Sequence, residues 1–180
     1  MLFNTVNFLF FFTCIFGLYW SLKGKYKLQN LLLLIGSYFF YGCWDYRFLF
    51  LLVFSTLLDY FTAIKISSAS KIQQKKIWFW ISIIINLGFL CVFKYFNFFA
   101  DSFKDLFSFF GVQINIWTLK VILPVGISFY TFHGLSYVID VYKERIKPER
   151  NFIDYSVFVS YFPLLVAGPI ERATHLLPQI

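Results

Sequence analysis

The chain has 180 residues, of which 59% are hydrophobic, 24% aromatic and only 14% charged. A soluble domain carries about a quarter charged residues, and disordered segments are poor in aromatics, so both classes are excluded. With a mean hydropathy of +0.70 the composition is that of a polytopic membrane protein. The net charge of +7 then reports topology rather than nucleic-acid binding.

The first apolar run covers residues 4–21. It lacks a positive leader and a small-residue cleavage site, so it reads as a retained span rather than a signal peptide. Lys23, Lys25 and Lys27 follow it. A second span covers residues 28–43, Trp44 to Arg47 form a short turn, and a third span covers 48–64. Residues 65–76 hold four Lys among Ser and Gln and read as a loop. A fourth span covers 77–96, opening with Trp78 and Trp80 where an aromatic belt belongs.

Residues 97–111 differ. Asp101, Lys104, Asp105 and Ser108 recur every three or four positions among Phe residues, which predicts an amphipathic helix lying in the interface. A fifth span covers 119–139, loosened near its start by Pro124 and Gly126. A charged loop follows over 140–151. A sixth apolar run covers 152–170, interrupted by Pro163 and by Gly168-Pro169. Cys14, Cys43 and Cys91 lie in apolar runs without metal-ligand spacing and read as small buried residues.

With the N-terminus outside, the loops after spans one, three and five face the cytoplasm. They hold 11 of the 16 Lys and Arg residues, as positive-inside topology requires. The expected fold is therefore all-α, with about six spans and one interfacial helix.

Motifs of soluble enzymes are missing: the sequence contains no GxGxxG, Walker A, HExxH, CxxC or GxSxG. Two stretches could carry function. The fifth span places Ser128, Thr131, His133, Ser136, Tyr137 and Asp140 at spacings that can share one helix face. Such a face turns toward other helices or a water-filled cavity. The second stretch is Phe162-Pro163 through Gly168-Pro169 to Glu171-Arg172, a broken helix tolerated at membrane depth only inside protein or beside a cavity. A helix that simply ends at Gly-Pro fits the same residues. Asp59, near the cytoplasmic end of span three, suggests a solvated acid paired to a neighbouring Lys or Arg. Lys94 is expected to snorkel outward.

These stretches carry a resemblance. Asn30-Leu31-Leu32-Leu33-Leu34 through Ser37-Tyr38-Phe39-Phe40-Tyr41, Ser55-Thr56-Leu57-Leu58-Asp59-Tyr60 and Phe93-Lys94-Tyr95-Phe96-Asn97-Phe98-Phe99 come first. Leu123-Pro124-Val125-Gly126-Ile127-Ser128-Phe129, Tyr137-Val138-Ile139-Asp140-Val141-Tyr142 and Phe162-Pro163 through Ala167-Gly168-Pro169-Ile170-Glu171-Arg172 follow in order. Together they resemble the N-terminal part of a membrane-bound O-acyltransferase of the alginate O-acetylation branch. The D-alanyl transfer protein of teichoic acids is a more distant relative.

The resemblance implies that residues 1–180 are the N-terminal portion of one larger membrane domain in a bacterial inner membrane. The whole enzyme would move an acyl group, in the first place acetyl, from a cytoplasmic thioester donor (acetyl-CoA or an acyl carrier) to hydroxyls of an exported polysaccharide. It would do so with extracytoplasmic partner proteins, amid membrane lipids, and without a bound cofactor, metal or nucleic acid. Its catalytic histidine would lie in a Trp-His-Gly-type motif beyond Ile180, so no residue of this chain inherits that role and the piece alone is expected to be inactive. His133 is preceded by Phe132, and His175 follows the Gly-Pro break, so neither matches. The residues expected to line a cavity or tunnel are His133, Tyr137, Pro163, Gly168, Pro169 and Arg172. The alternative is a small transporter-like or scaffold membrane protein without catalysis, for which a broken helix beside a polar one would form the pathway.

Overall fold

The computed structural model describes residues 3–110, 122–169 and 171–180. Gly111, residues 119–121 at the start of the expected fifth span, and Ile170 lie outside the described residues. Among the described residues the chain is all-helical: α1 Val6–Ser21, α2 Tyr26–Ser68, α3 Ile72–Leu90, a π-helical turn Cys91–Tyr95, α4 Phe96–Phe109, α5 Ile127–Tyr142, α6 Phe152–Ser160, α7 Phe162–Ala167, α8 Ala173–Leu176 and a 3-10 turn Leu177–Gln179. Two helical stretches, Tyr26–Ser68 and Ile72–Tyr95, are long and apolar enough to cross a membrane, and Val6–Ser21 is a shorter apolar helix.

α2 is two helices joined at Asp45, whose φ of −158° and ψ of 111° are extended. The predicted turn at 44–47 thus falls where the helix breaks. Asp45 caps the second half itself: its carboxylate accepts the Arg47 N–H at 3.0 Å and meets the Arg47 guanidinium at 2.8 Å. Arg47 holds this carboxyl below the usual range, chiefly through that side-chain hydrogen bond. The two halves double back. Asn30 donates to Asp154, Asp154 accepts from Asn151, and the Tyr60 hydroxyl donates to the Arg150 carbonyl. Asn30 and Tyr60, on opposite sides of the break, therefore both reach the 150–154 segment.

At that same end, Lys75 of α3 pairs with Glu144 beyond α5 at 2.7 Å. Lysine hydrogen bonding holds the Glu144 carboxyl below its ordinary range. These contacts gather the three Lys/Arg-rich connections at one end of the bundle. The expected loop over 65–76 shortens to 69–71, because α2 runs to Ser68 and α3 starts at Ile72. Lysines suit helix surfaces at an aqueous boundary, so a polar run need not be a loop. Likewise α5 continues through Asp140 to Tyr142.

α5 is the central helix. Tyr130, Thr131, His133, Gly134, Leu135, Tyr137, Val138, Asp140 and Val141 are all buried, so it is packed nearly all round. α4 is the opposite case: among the described residues it packs closely on the π-helical turn it continues from and on little else. The amphipathic helix expected at 97–111 is present, with Phe98, Phe99, Phe103 and Phe109 exposed. Lys94 is exposed, its ammonium 5.6 Å from the Tyr95 ring. The three cysteines are exposed, not buried as expected. An apolar run in a membrane-type bundle has an outward face, and small Cys side chains sit on it as readily as inside.

Candidate functional site

The sixth apolar run is two short helices. α6 has nine residues and α7 six, against the roughly 20 needed to cross a bilayer. The first break is at Tyr161, where ψ is 111°. Pro163 occupies the second position of α7, where its missing N–H leaves nothing unpaired. The second break is at Gly168, with φ −86° and ψ 166°. The chain then returns. Ile180 ends beside Asp154, because the Asn30 side-chain amide donates to both the Asp154 carboxylate and the Ile180 carbonyl at 2.8 Å. Residues 152–180 thus enter the bundle from the basic end, turn inside it and come back to that end.

A turn inside an apolar layer must place its freed backbone groups somewhere. Two distant side chains accept such groups, and a close backbone approach packs the turn in place. Ser37 of α2 accepts the Phe162 N–H at 3.2 Å, which satisfies a helix-start donor of α7. His133 Nε2 accepts the Glu171 N–H at 3.1 Å on the returning strand. The imidazole proton therefore sits on Nδ1, which is buried and has no hydrogen-bond partner among the described residues. The deep end of the turn rests on Gly126, whose φ of 77° is left-handed and favours glycine. A Cβ there would lie 2.5 Å from the Leu165 carbonyl oxygen. The Pro-Val-Gly-Ile-Ser-Phe stretch and the Phe-Pro to Gly-Pro stretch are hence one packed unit.

On its other side, α5 meets a buried polar cluster. Ser82 and Asn86 of α3 donate to Asp59 Oδ1 at 2.6 and 2.7 Å, and Ser55 donates to the side-chain Oδ1 of Asn86 at 2.7 Å. Asp59 is 1% exposed. Among the described residues it has no Lys or Arg partner, which corrects the expected solvated ion pair. Two neutral donors from the facing helix replace a cation there. Its Oδ2 packs on Gly134, where any Cβ would overlap it and lie 3.0 Å from Asp59 Cγ.

The residues expected to line a tunnel separate. His133 and Tyr137 are both buried and share Phe158 as a ring neighbour. The Tyr137 ring also lies tilted against Tyr155, centroids 4.5 Å apart, and its hydroxyl accepts the Glu149 N–H at 2.9 Å, pinning the loop after α5. Pro163 and Gly168 are half-buried; Pro169 and Arg172 are exposed. Glu171 pairs with His175 at 3.0 Å rather than with Arg172. Of the other polar residues of α5, Ser136 bonds back to the His133 carbonyl and Asp140 pairs with Arg145. They form separate contacts rather than one polar face. Sequence reasoning missed Ser37, Asn30, Ser82 and Asn86. The spacing Ser82–Asn86 puts both on one helix face, a signal that was readable.

No family model matches this chain. No solved structure matches it significantly. Curated relatives do. The chain is 40% identical over 181 aligned positions to the probable alginate O-acetylase AlgI of Pseudomonas aeruginosa, covering 99% of this chain and 34% of the relative. It is 39% identical to the probable alginate O-acetylase AlgI of Azotobacter vinelandii, covering 99% and 36%. It is 33% identical over 207 positions to a peptidoglycan O-acetyltransferase of Helicobacter pylori, covering 99% and 38%. The chain thus spans about a third of the length of the curated relatives it matches.

Proposed function

We infer that this chain, a homologue of the alginate O-acetylases along 99% of its own length, forms one wall of a membrane O-acetyltransferase that acts on an extracytoplasmic polysaccharide. That full-chain identity near 40% is the observation that carries the reading. Relatives named for alginate and for peptidoglycan share carbohydrate as the acceptor class, and the alginate-type proteins are the more similar.

In the whole enzyme, a histidine outside these 180 residues takes the proton of an acceptor hydroxyl. The hydroxyl oxygen then attacks the thioester carbonyl of acetyl-CoA or an acyl carrier, an ester forms, and the thiol leaves with a proton. The present residues contribute no acid–base group to that step. They build a rigid, water-poor wall around it. The topology we propose has the N-terminus outside, the basic end in the cytoplasm of a bacterial cell and multiple crossings. Residues 152–180 form a re-entrant hairpin from the cytoplasmic side instead of a sixth crossing. The self-satisfied turn at Ser37, His133 and Gly126 supports it, because irregular backbone survives at membrane depth only when buried in protein. Extracytoplasmic transfer partners belong to the same proposal.

The test is genetic and chemical. Deleting the gene should abolish O-acetyl esters on the exported polysaccharide, read by NMR, and the complete reading frame should restore them while residues 1–180 alone should not. Unchanged ester content on deletion would refute the reading. Cysteine labelling from outside the cell should miss Gly24→Cys, Ser70→Cys and Lys147→Cys together.

A further inference from the structure

A cavity of about 480 Å³ lies at the edge of the bundle, between α1 and the returning segment. That size is within the roughly 300–1,000 Å³ of small-molecule sites. Its wall includes Phe12, Phe16 and Trp20 of α1, Leu33 of α2, Val157 of α6 and Phe162 of α7. Phe12, Phe16 and Trp20 follow each other at four-residue spacing with ring centroids 6.0 and 6.1 Å apart. They make an aromatic stripe about 12 Å long running up α1 toward the basic end. All three are exposed, by 43%, 53% and 54%.

At the top of the stripe the chemistry changes. The Lys23 ammonium lies 5.4 Å from the Trp20 ring centroid. Lys25 and Lys27 follow, all three exposed. Asn30, in the cavity wall, binds Asp154 and the Ile180 carbonyl, so the Asp154 carboxylate is engaged by Asn30 and Asn151. An apolar slot thus opens beside three exposed lysines, the first of them over the Trp20 ring in the slot's wall. That is the shape and charge order of one phospholipid molecule, chain below and phosphate above.

We propose that this groove binds an anionic phospholipid of the leaflet at the basic end. One acyl chain lies along Phe12, Phe16 and Leu33, and its phosphate is held by Lys23 and Lys25. The lipid extends along α1 beyond the Phe8 and Phe11 contacts with Phe162 of α7, and so braces the hairpin that His133 holds from within. The proposal rests on the membrane reading above but not on acetyl transfer. Its failure would leave ester formation untouched, and loss of ester formation would leave lipid binding untouched.

The test uses the protein from its complete reading frame in detergent micelles, titrated with dioleoyl phosphatidylglycerol or dioleoyl phosphatidylcholine. Bound lipid is counted by native mass spectrometry, and Tm is followed in parallel. Wild type should retain one phosphatidylglycerol and gain Tm, with phosphatidylcholine at least tenfold weaker. Lys23→Gln with Lys25→Gln, both at exposed positions that leave the fold intact, should bring phosphatidylglycerol down to the phosphatidylcholine level, an expected loss of about tenfold or more. Leu33→Trp, which fills the slot, should remove both lipids. Equal retention of the two lipids by wild type would overturn the proposal. So would full phosphatidylglycerol retention by Leu33→Trp, the result expected if another part of the protein covers the groove.

Discussion

The chain reverses direction in two places, at the exposed turn around Asp45 and within the bundle at 161–171, and the two turns are solved by opposite means. At Asp45 the solution is local: the residue caps the next helix with its own carboxylate and is braced by Arg47 two positions on. At 161–171 the solution is remote. Phe162 relies on Ser37, Glu171 on His133, and the return to the basic end on Asn30. A local turn can form as soon as its residues are made. A remote one exists only once α2 and α5 are packed around it, so its stability is tertiary. Substitutions at the second turn and its supports should therefore cost more than those at the first.

The largest effect is expected where α5 is seated. Gly134→Ala puts a methyl into the Asp59 carboxyl, an overpacking that costs about 1–3 kcal/mol or more. Because the overlap is with one side chain, Asp59→Ser combined with Gly134→Ala should be more stable than the sum of the single changes predicts. Denaturant unfolding in micelles would give a coupling energy of about 1 kcal/mol or more. Simple additivity would show that Gly134 is needed for some reason other than Asp59.

Next comes the clasp on the returning strand. His133→Ala leaves the Glu171 N–H without its acceptor, at a cost of about 1–3 kcal/mol. Gln can present a carbonyl oxygen near the place of Nε2, whereas Asn is one bond too short. His133→Gln should then keep the slow hydrogen exchange of the Glu171 amide, and His133→Asn should lose it. Equal exchange in both variants would dissociate His133 from the turn. Ser37→Ala acts on a single neutral hydrogen bond of 3.2 Å and should cost about 1 kcal/mol. Its signature is faster exchange at Phe162 alone.

This contrast also explains what was legible in the sequence. The break at 44–47 could be read because all its parts lie within four residues. The breaks at Pro163 and Gly168 could be read for the same reason, since Pro and Gly announce themselves. What could not be read is where the chain goes afterwards. A sixth crossing and a re-entrant hairpin share one hydropathy profile. The hydrogen bond from Asn30 to the Ile180 carbonyl across the fold supports the hairpin proposed above. Asp59 shows the same limit. An acid in a span predicts a partner, but the general habit of ion pairing suggested a cation, while Ser82 and Asn86 were the groups that arrived. The polar spacing of α5 announced that one face meets other helices, but its burial on nearly all sides was hidden, because the remaining apolar positions read the same against lipid as against protein.

The smallest effect concerns the basic end, where Lys75 and Glu144 join α3 to the loop after α5. Hydrogen bonding by the lysine holds the Glu144 carboxyl below its ordinary, unfolded-state range in the folded protein. The pair's stabilisation is therefore fully present above that unfolded-state range and is lost as pH falls through the lowered folded one. Tm followed from pH 6 down to pH 3 should fall slightly more in wild type than in Lys75→Met, in which Glu144 has no reason to titrate low. Glu144 is 75% exposed in its side chain, so salt should flatten the difference, since exposed pairs contribute little once screened. A difference that persists at high ionic strength would mean that the pair is shielded by something lying over this end of the bundle. That outcome would move Lys75 and Glu144 from an open end of the bundle to an interface.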